Sequence, residues 1–382
     1  MSVLEAVSAV HVEALADRLH IHWTDSLSDS FHYVWLRDNC GCSTCRHPIA
    51  GERLSDPAAI PLDIAPTSVS GGESVKVLWP DGHESTFSPN WLRMHAYGDA
   101  ANQRVTSPFL LWSAADVASP PEADFHEITK SEEALLVFLR QLRSYGFSIV
   151  RNVPTDQSGR VAEIAKRIGN LRDSNFGLIW DVKSVPKPDS LAYTSVKLTA
   201  HTDLVSRESQ PGLQLLHCRV NEAEGGASLL VDGFAVAEEL KRRSIEDFEV
   251  LSRVPASFRY QNDFTDVSAT GPVIKLDHRS QYFEIRYSNA LLAPLQCDGA
   301  DVAPFYRAYQ HYSRLLREPQ FEFSFRLEAG DCEVFDNRRV LHGRQEFFPQ
   351  SGPRLLEGCY VDTDDYLSRL RVLERTSDFR KR

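Results

Sequence analysis

Three short stretches carry residues able to do chemistry. The first is His201-Thr202-Asp203, in AHTDL. An H-x-D tripeptide arises by chance about once in a chain with this many histidines and aspartates, so it needs company. The second stretch supplies it with the distal His342 in FDNRRVLHGR, followed twelve positions later by Arg354 in PRLLEGCY. Two imidazoles and one carboxylate on one face of an octahedral Fe(II) leave three open positions. Those positions accept a bidentate 2-oxo acid and O2. The far carboxylate of such an acid needs a cation deep in the pocket, and a guanidinium meets it with two parallel hydrogen bonds. The competing reading is that His201 and His342 are ordinary hydrogen-bonded residues of unrelated loops.

The third stretch is RDNCGCSTCRHP, which sets Cys40, Cys42 and Cys45 in a C-x-C-x-x-C loop. Tetrahedral zinc needs a fourth ligand, and the candidates are His47 and His83, the latter in PDGH. Three thiolates and one imidazole leave no position for substrate, so this site fastens a small domain and does no chemistry. The chain has seven cysteines, an odd number with three inside six positions, unlike the even, dispersed framework of a disulfide-stapled secreted protein. Cys218, Cys297, Cys332 and Cys359 read as small buried residues.

The rest of the chain must position these groups. Its 382 residues exceed what one hydrophobic core holds, which predicts two domains. Hydrophobic residues at 42% and charged residues at 25% are ordinary for a globular protein. Lys and Arg number 42 against 53 Asp and Glu, a net charge of −11. That balance lacks the basic footprint needed to neutralise phosphates or to dock on anionic lipid, which excludes nucleic-acid and membrane partners. No apolar run reaches the ~18 residues of a membrane span. The N-terminus has no basic segment ahead of an apolar core, so no signal peptide is expected and the expected location is cytoplasmic.

HVEAL, LHIHWTD, FHYVWLRD and VKVLWPDGHESTF alternate like strands, with PDGH turning a hairpin. They predict a small β domain over residues 1–98. Residues 99–122 carry Gly, Pro, Ser and Ala without period and read as a linker. In the remainder, 123–382, SEEALLVFLRQLRSYG spaces Ala134, Leu135, Leu136, Phe138, Leu139 and Leu142 on a helix, and SGRVAEIAKRIGN is a second. FSIVRNV, LQLLHCRV, GASLLVDGF, ASFRYQ, YFEIRYS, FEFSFRLEAGDCEVFD and RLLEGCYV read as strands, interrupted by one helix in VAPFYRAYQHYSRLLRE. This order predicts a mainly β, α+β domain with a β-sandwich or jelly-roll core.

HTD, GGAS, DNRRVLHGR and Arg354 together resemble the Fe(II)/2-oxoglutarate dioxygenases of the taurine dioxygenase superfamily. WLRDNCGCSTC, WPDGHESTFSPNWL, AYTSVKLTAHTD, GLQLLHC, VDGF and FDNRRVLHGR narrow the resemblance to the γ-butyrobetaine and trimethyllysine hydroxylases, over about residues 10–375. The resemblance implies a double-stranded β-helix, or jelly roll, carrying an N-terminal zinc domain, and a homodimer. It puts iron on His201, Asp203 and His342, and zinc on Cys40, Cys42, Cys45 and His83. It puts 2-oxoglutarate on Arg354 and on Ser228 of GGAS, with O2 as the oxidant. Related halogenases lose the carboxylate to make room for halide; Asp203 is retained, which implies hydroxylation.

The family's aromatic cage for a trimethylammonium group falls on Phe176, Trp180, Tyr193 and Tyr360, with Phe176 in place of a tyrosine. Ring faces suit a cation that has no hydrogen to donate. Phe176 and Trp180, four apart, share a side if that turn is helical. At the substrate's other end, two family asparagines become Ser190 and Ser288, and a tyrosine becomes Leu204. Arg286 stands where the family tends to have asparagine, beside Asn289 in EIRYSNA. Smaller hydroxyl groups and an added guanidinium suit a bulkier, more highly charged anion than carboxylate. A phosphonate fits that description, and one branch resembling this family hydroxylates 2-(trimethylammonio)ethylphosphonate beside phosphorus, which is the substrate the resemblance implies. The alternatives are γ-butyrobetaine, giving carnitine; trimethyllysine, whose α-amine asks for an acid the sequence does not place; and a non-catalytic zinc module.

Overall fold

The computed structural model describes residues 9–98, 101, 107–183 and 193–380. The chain divides into two compact units, one ending at Ser107 and the other starting at Pro108.

The first unit has two three-stranded antiparallel sheets. One pairs Ala9–Ala14, Arg18–Trp23 and Ser28–His32; the other pairs Ser68–Ser70, Val75–Leu78 and Glu84–Phe87. Alternation drives both, since successive strand side chains point to opposite faces. Leu19, Ile21, Trp23, Phe31, Val75, Val77 and Phe87 point inward and share one core with Trp79 and Leu92. FHYVWLRD departs from expectation. Its first residues end a strand, but Tyr33–Asp38 is a helix that buries Tyr33 and Leu36, three apart on one face. That helix runs straight into the cysteine loop.

The second unit is a sandwich of two sheets. The larger has the order Glu122–Asp124, Phe147–Arg151, Cys332–Asp336, Leu213–Asn221, Arg354–Val361, Trp180–Val182. The smaller has the order Leu198–His201, Val340–Arg344, Ser228–Asp232, Phe323–Phe325. Leu216, Cys218, Phe335 and Leu356 of the first meet Leu230, Phe323 and Val340 of the second in a common core. The alternate residues Leu213, Leu215, Cys332, Val334, Cys359 and Val361 face outward, onto the helices Glu132–Tyr145, Arg160–Ile168 and Thr363–Arg380. This is the expected jelly roll.

Helix Glu132–Tyr145 is capped by the Ser131 side chain and closed by Gly146 at φ 79°, where a Cβ would come within 2.8 Å of Val340. Two further helices, Gly233–Arg243 and Ile245–Arg253, cover the small sheet and were missing from the sequence reading. Their signal was present in the caps Asp232 and Ser244 and the apolar positions Phe234, Ala237, Leu240, Phe248 and Leu251. The stretch expected as a linker is, from Pro108, part of the second unit: Trp112 is buried, 5.2 Å from the Phe147 ring. Among the described residues no helix is long and apolar enough to cross a membrane.

A buried ion pair ties this unit together. Arg339 meets Asp232 at 2.7 and 3.1 Å, and its remaining donors reach the carbonyls of Leu110 and Ser144. Asp232→Ala strands a guanidinium in the core, and the expected loss is roughly 3–5 kcal/mol of stability, read by denaturant unfolding. An unchanged midpoint would remove this pair from the fold's supports.

Candidate active site and metal centres

The strands Leu198–His201 and Val340–Arg344 pair so that His201 lies directly opposite His342, with the ring centroids 4.3 Å apart. Asp203 follows in the turn after the strand. Its Oδ1 lies 3.3 Å from His201 Nε2 and 3.8 Å from His342 Nε2. The three ligand atoms converge on one point, as the sequence expected of them.

Each member is held from behind. His201 Nδ1 lies 2.9 Å from the Thr199 carbonyl, which aims Nε2 at the centre. The Asp203 N–H donates to Asn337 Oδ1 at 2.7 Å, and Asn337 Nδ2 donates back to the Asp203 carbonyl at 3.0 Å. Thr202 donates its N–H to the Tyr287 carbonyl and its hydroxyl to Gln210. Leu204, at φ 53°, then turns the chain away in a left-handed conformation rare for leucine.

Burial pushes the His342 imidazole down to about 3, with the neighbouring His201 adding to it. Burial also works against charge on His201, but the Asp203 carboxylate outweighs it and raises that imidazole. Asp203 itself is raised by burial and lowered more strongly by His342, His201 and the Tyr360 hydroxyl, which leaves it well below the usual carboxylate range. One anion and two imidazoles, one of them held neutral, form a donor set suited to an octahedral divalent cation.

Arg354 lies two residues before the inward-facing Leu356 in the same strand, so both point between the sheets. Its Nε is buried without a hydrogen-bond partner, which makes it a docking point for an anion. Ser228 is buried two residues after Gly226, where a Cβ would sit 3.2 Å from Arg354 Nε. Arg354 and Arg344 both lie over the Phe347 ring, at 5.4 and 4.6 Å, and concentrate positive charge there. These groups fit the distal carboxylate of a 2-oxo diacid.

A cavity of about 560 Å³ opens on the triad, within the range of small-molecule sites. Phe176, Leu204, Tyr260, Ser288, Asn289 and Lys197 are among its lining residues. The aromatic set is assembled: Phe176 stands 6.2 Å from Trp180, 6.4 Å from Tyr193 and 6.2 Å from Tyr260, and Trp180 stands 4.3 Å from Tyr360. Trp180 can lie there because its cross-strand partner is Gly358, where a Cβ would come within 2.7 Å of the indole. The turn carrying Phe176 is not helical; Trp180 opens a strand instead. Tyr260 was missed, although ASFRYQ was read as a strand. Asn337 lay unremarked inside FDNRRVLHGR.

Two expectations for the anion end need comment. Ser190 lies outside the described residues. Arg286 does not meet substrate. It is buried, and its guanidinium donates to the carbonyls of Val205, Arg207 and Glu208 and to Glu284, at 2.6–3.1 Å. Three of those contacts pin the loop after Asp203 and the fourth ties the guanidinium to the strand Tyr282–Ile285, so both terminal nitrogens are engaged within the protein.

Tyr360 does two things. Its ring backs Trp180, and its hydroxyl donates to Asp203 Oδ2 at 2.7 Å. This leaves Oδ1 facing the imidazoles.

In the first unit, Cys40, Cys42 and Cys45 converge on His83. Their sulfurs lie 3.2, 3.6 and 3.6 Å from its Nε2. A tetrahedral zinc with bonds of about 2.0–2.3 Å has ligand-to-ligand edges of roughly 3.5 Å, so the cluster fits. The hairpin turn presents His83: Gly82 takes φ 79°, and the His83 N–H donates to Asp81. Arg37, 3.4 Å from Cys45, offsets thiolate charge. His47 instead accepts from the N–H groups of Ile49 and Ala50.

Residues 108–360 match the model of the taurine catabolism dioxygenase TauD, TfdA family, and residues 10–93 match that of the γ-butyrobetaine hydroxylase-like N-terminal domain. The chain is 41% identical to a γ-butyrobetaine dioxygenase of Pseudomonas sp. (strain AK-1), over 95% of both chains. It is 35% identical to the mitochondrial trimethyllysine dioxygenase of Bos taurus, over 90% of this chain and 82% of that one. The solved structure of asparagine oxygenase shares the fold, with a TM-score of 0.50 and 21% identity over 61% of this chain and 78% of the other. The chain belongs to the TauD/TfdA family of dioxygenases and also carries a γ-butyrobetaine hydroxylase-like N-terminal domain.

Tyr360→Phe keeps the ring and removes the hydrogen bond to Asp203. Fe(II) affinity, measured anaerobically by competition with a chelating dye, is expected to fall roughly 10–100-fold; an unchanged affinity would separate Tyr360 from the triad. For the other cluster, elemental analysis is expected to find stoichiometric zinc that Cys40→Ser loses, together with the N-terminal unit's resistance to proteolysis. Full zinc retention in Cys40→Ser would disprove the ligand set.

Proposed function

We propose that this dioxygenase hydroxylates a small trimethylammonium zwitterion, with γ-butyrobetaine the substrate best supported. The observation that carries the reading is an aromatic cluster fastened to the triad through the hydrogen bond between Tyr360 and Asp203. A quaternary ammonium offers no hydrogen bond and is held by ring faces, which Phe176, Trp180, Tyr193, Tyr260 and Tyr360 supply. His201, Asp203 and His342 would hold Fe(II), and Arg354 with Ser228 would hold the distal carboxylate of 2-oxoglutarate. Bound iron, 2-oxoglutarate and O2 together supply the oxidising power for a C–H bond. The chain's own part is positioning: a cation gripped at one end and an anion at the other leave one methylene facing the metal.

The anion end decides between substrates. With Arg286 spent on the loop carbonyls, the argument for a more highly charged anion loses its main support. Ser288 and Asn289 offer neutral polar contacts of the kind a carboxylate takes. The identity to a γ-butyrobetaine dioxygenase supports the same choice. The phosphonate stays as a second reading on one observation: Lys197 lines the cavity as an exposed cation, whereas Arg259 there is neutralised by Asp266. Trimethyllysine is less well supported, because the only acid among the described lining residues is Asp203, which belongs to the triad.

The test is turnover by Fe(II)-loaded enzyme with 2-oxoglutarate and O2, reading succinate and a mass gain of one oxygen. γ-Butyrobetaine, 2-(trimethylammonio)ethylphosphonate and trimethyllysine run in parallel. The highest kcat/KM is expected on γ-butyrobetaine. A preference for the phosphonate would move the anion site to Lys197, and no turnover on any of the three would overturn the reading.

A further inference from the structure

One buried acid has no part in the mechanism so far. Glu333 lies in the strand Cys332–Asp336 and is 3% exposed. Its neighbours Cys332 and Val334 face the outer helices, so alternation turns Glu333 and Phe335 into the space between the sheets. Its cross-strand partners are Ile149 and Leu216, both apolar members of that inner core. An acid among hydrophobic partners is costly unless something there uses it.

Two groups lie near enough to favour its charged form, the Ser228 hydroxyl and the Arg354 guanidinium. Those are the two residues placed at the distal carboxylate of the co-substrate. Glu333 Oε2 is buried and has no partner, and neither has Arg354 Nε. A buried acceptor and a buried donor therefore both lack partners around one seat. A dicarboxylate entering there brings a second carboxylate up to Glu333, and two carboxylates in contact share a proton better than they share two charges.

We propose that Glu333 is a third contact for the distal carboxylate of 2-oxoglutarate, as a carboxylic acid donating a hydrogen bond to it, so that the co-substrate binds together with one proton. The proposal rests on the assignment of Arg354 and Ser228 to that carboxylate. Burial pushes the Glu333 carboxyl up to about 7, against smaller opposing effects of Ser228 and Arg354. The other titratable groups interacting with it are the thiols of Cys218 and Cys332, both raised by burial and uncharged in this range. Arg354 and the nearby Arg344, though lowered by burial, stay charged at neutral pH. Glu333 is thus the group that titrates. Above its folded value, binding must first reprotonate it, so affinity falls about tenfold per pH unit.

The test is anaerobic calorimetry of 2-oxoglutarate on the Fe(II)-loaded full chain from pH 6.5 to 8.5, in two buffers of different ionisation enthalpy. The wild type is expected to lose about tenfold in affinity between pH 7.5 and 8.5 and to take up close to one proton at the upper end. Glu333→Gln, whose amide donates at every pH, is expected to bind with a flat profile and no proton uptake. Iron content and unfolding midpoint confirm that the variant is folded. A flat wild-type profile, or a Glu333→Gln profile as steep as the wild type's, overturns the proposal. If iron-loaded wild type binds no 2-oxoglutarate, or Arg354→Ala binds it unimpaired, the co-substrate assignment itself falls.

Discussion

The antiparallel register that sets His201 opposite His342 is the constraint on which the remaining chemistry depends. Directly paired residues in such a ladder send their side chains to one face at close range. Two imidazoles are thereby delivered together without a dedicated loop. The third ligand cannot come from the ladder, so the chain leaves the strand, is anchored at Thr202, and brings Asp203 back under the clamp of Asn337. The loop that follows is pinned by Arg286. The sandwich holds these pieces in place, with His342 buried and His201 and Asp203 partly exposed to the cavity.

Three buried arginines and one half-buried one show how hydrogen-bond accounting separates structure from function. Arg339 spends its donors on Asp232 and two carbonyls, and Arg286 spends its own on three carbonyls and Glu284. Both are structural. Arg344 serves the Thr194 and Val196 carbonyls yet keeps a buried Nε unpaired. Arg354 has a buried, unpaired Nε and sits beside an acid and a hydroxyl. Arg354 is the one of the four whose guanidinium has no hydrogen-bond partner among the described residues, and position in a motif alone does not distinguish it from Arg286.

The same economy runs through the aromatic cluster. Tyr360 lends its ring to Trp180 and its hydroxyl to Asp203, so the residues that would seat the cation and those that would hold the metal are not independent. In the N-terminal unit, a short helix and a hairpin turn meet at four soft donors, and a small core of alternating apolar residues surrounds them. A unit of that size gains much of its order from such a closure.

What depends on neighbours in the chain was legible in the order of residues. Alternation marked the strands, Ser131 and Gly146 bracketed a helix, and the cysteine spacing marked a metal loop whose fourth ligand, His47 or His83, was settled by the family resemblance. H-x-D with a distal histidine became a triad through the same resemblance. Local pattern misled at Tyr33–Asp38, where a three-residue spacing of apolar groups outweighed strand-like composition. What lies across the space from each side chain was set by the packing of the whole fold. Arg286 was legible as a cation but not as one consumed by the loop at 205–208, and Tyr260 was legible as a strand residue but not as a cavity wall. Glu333 was legible as one charge in a buried strand, with nothing to say that Arg354 and Ser228 would meet it. The period of a strand tells which way a side chain points, whereas its partner is set by which distant strands and loops the packing brings opposite, and that choice is made by the whole core.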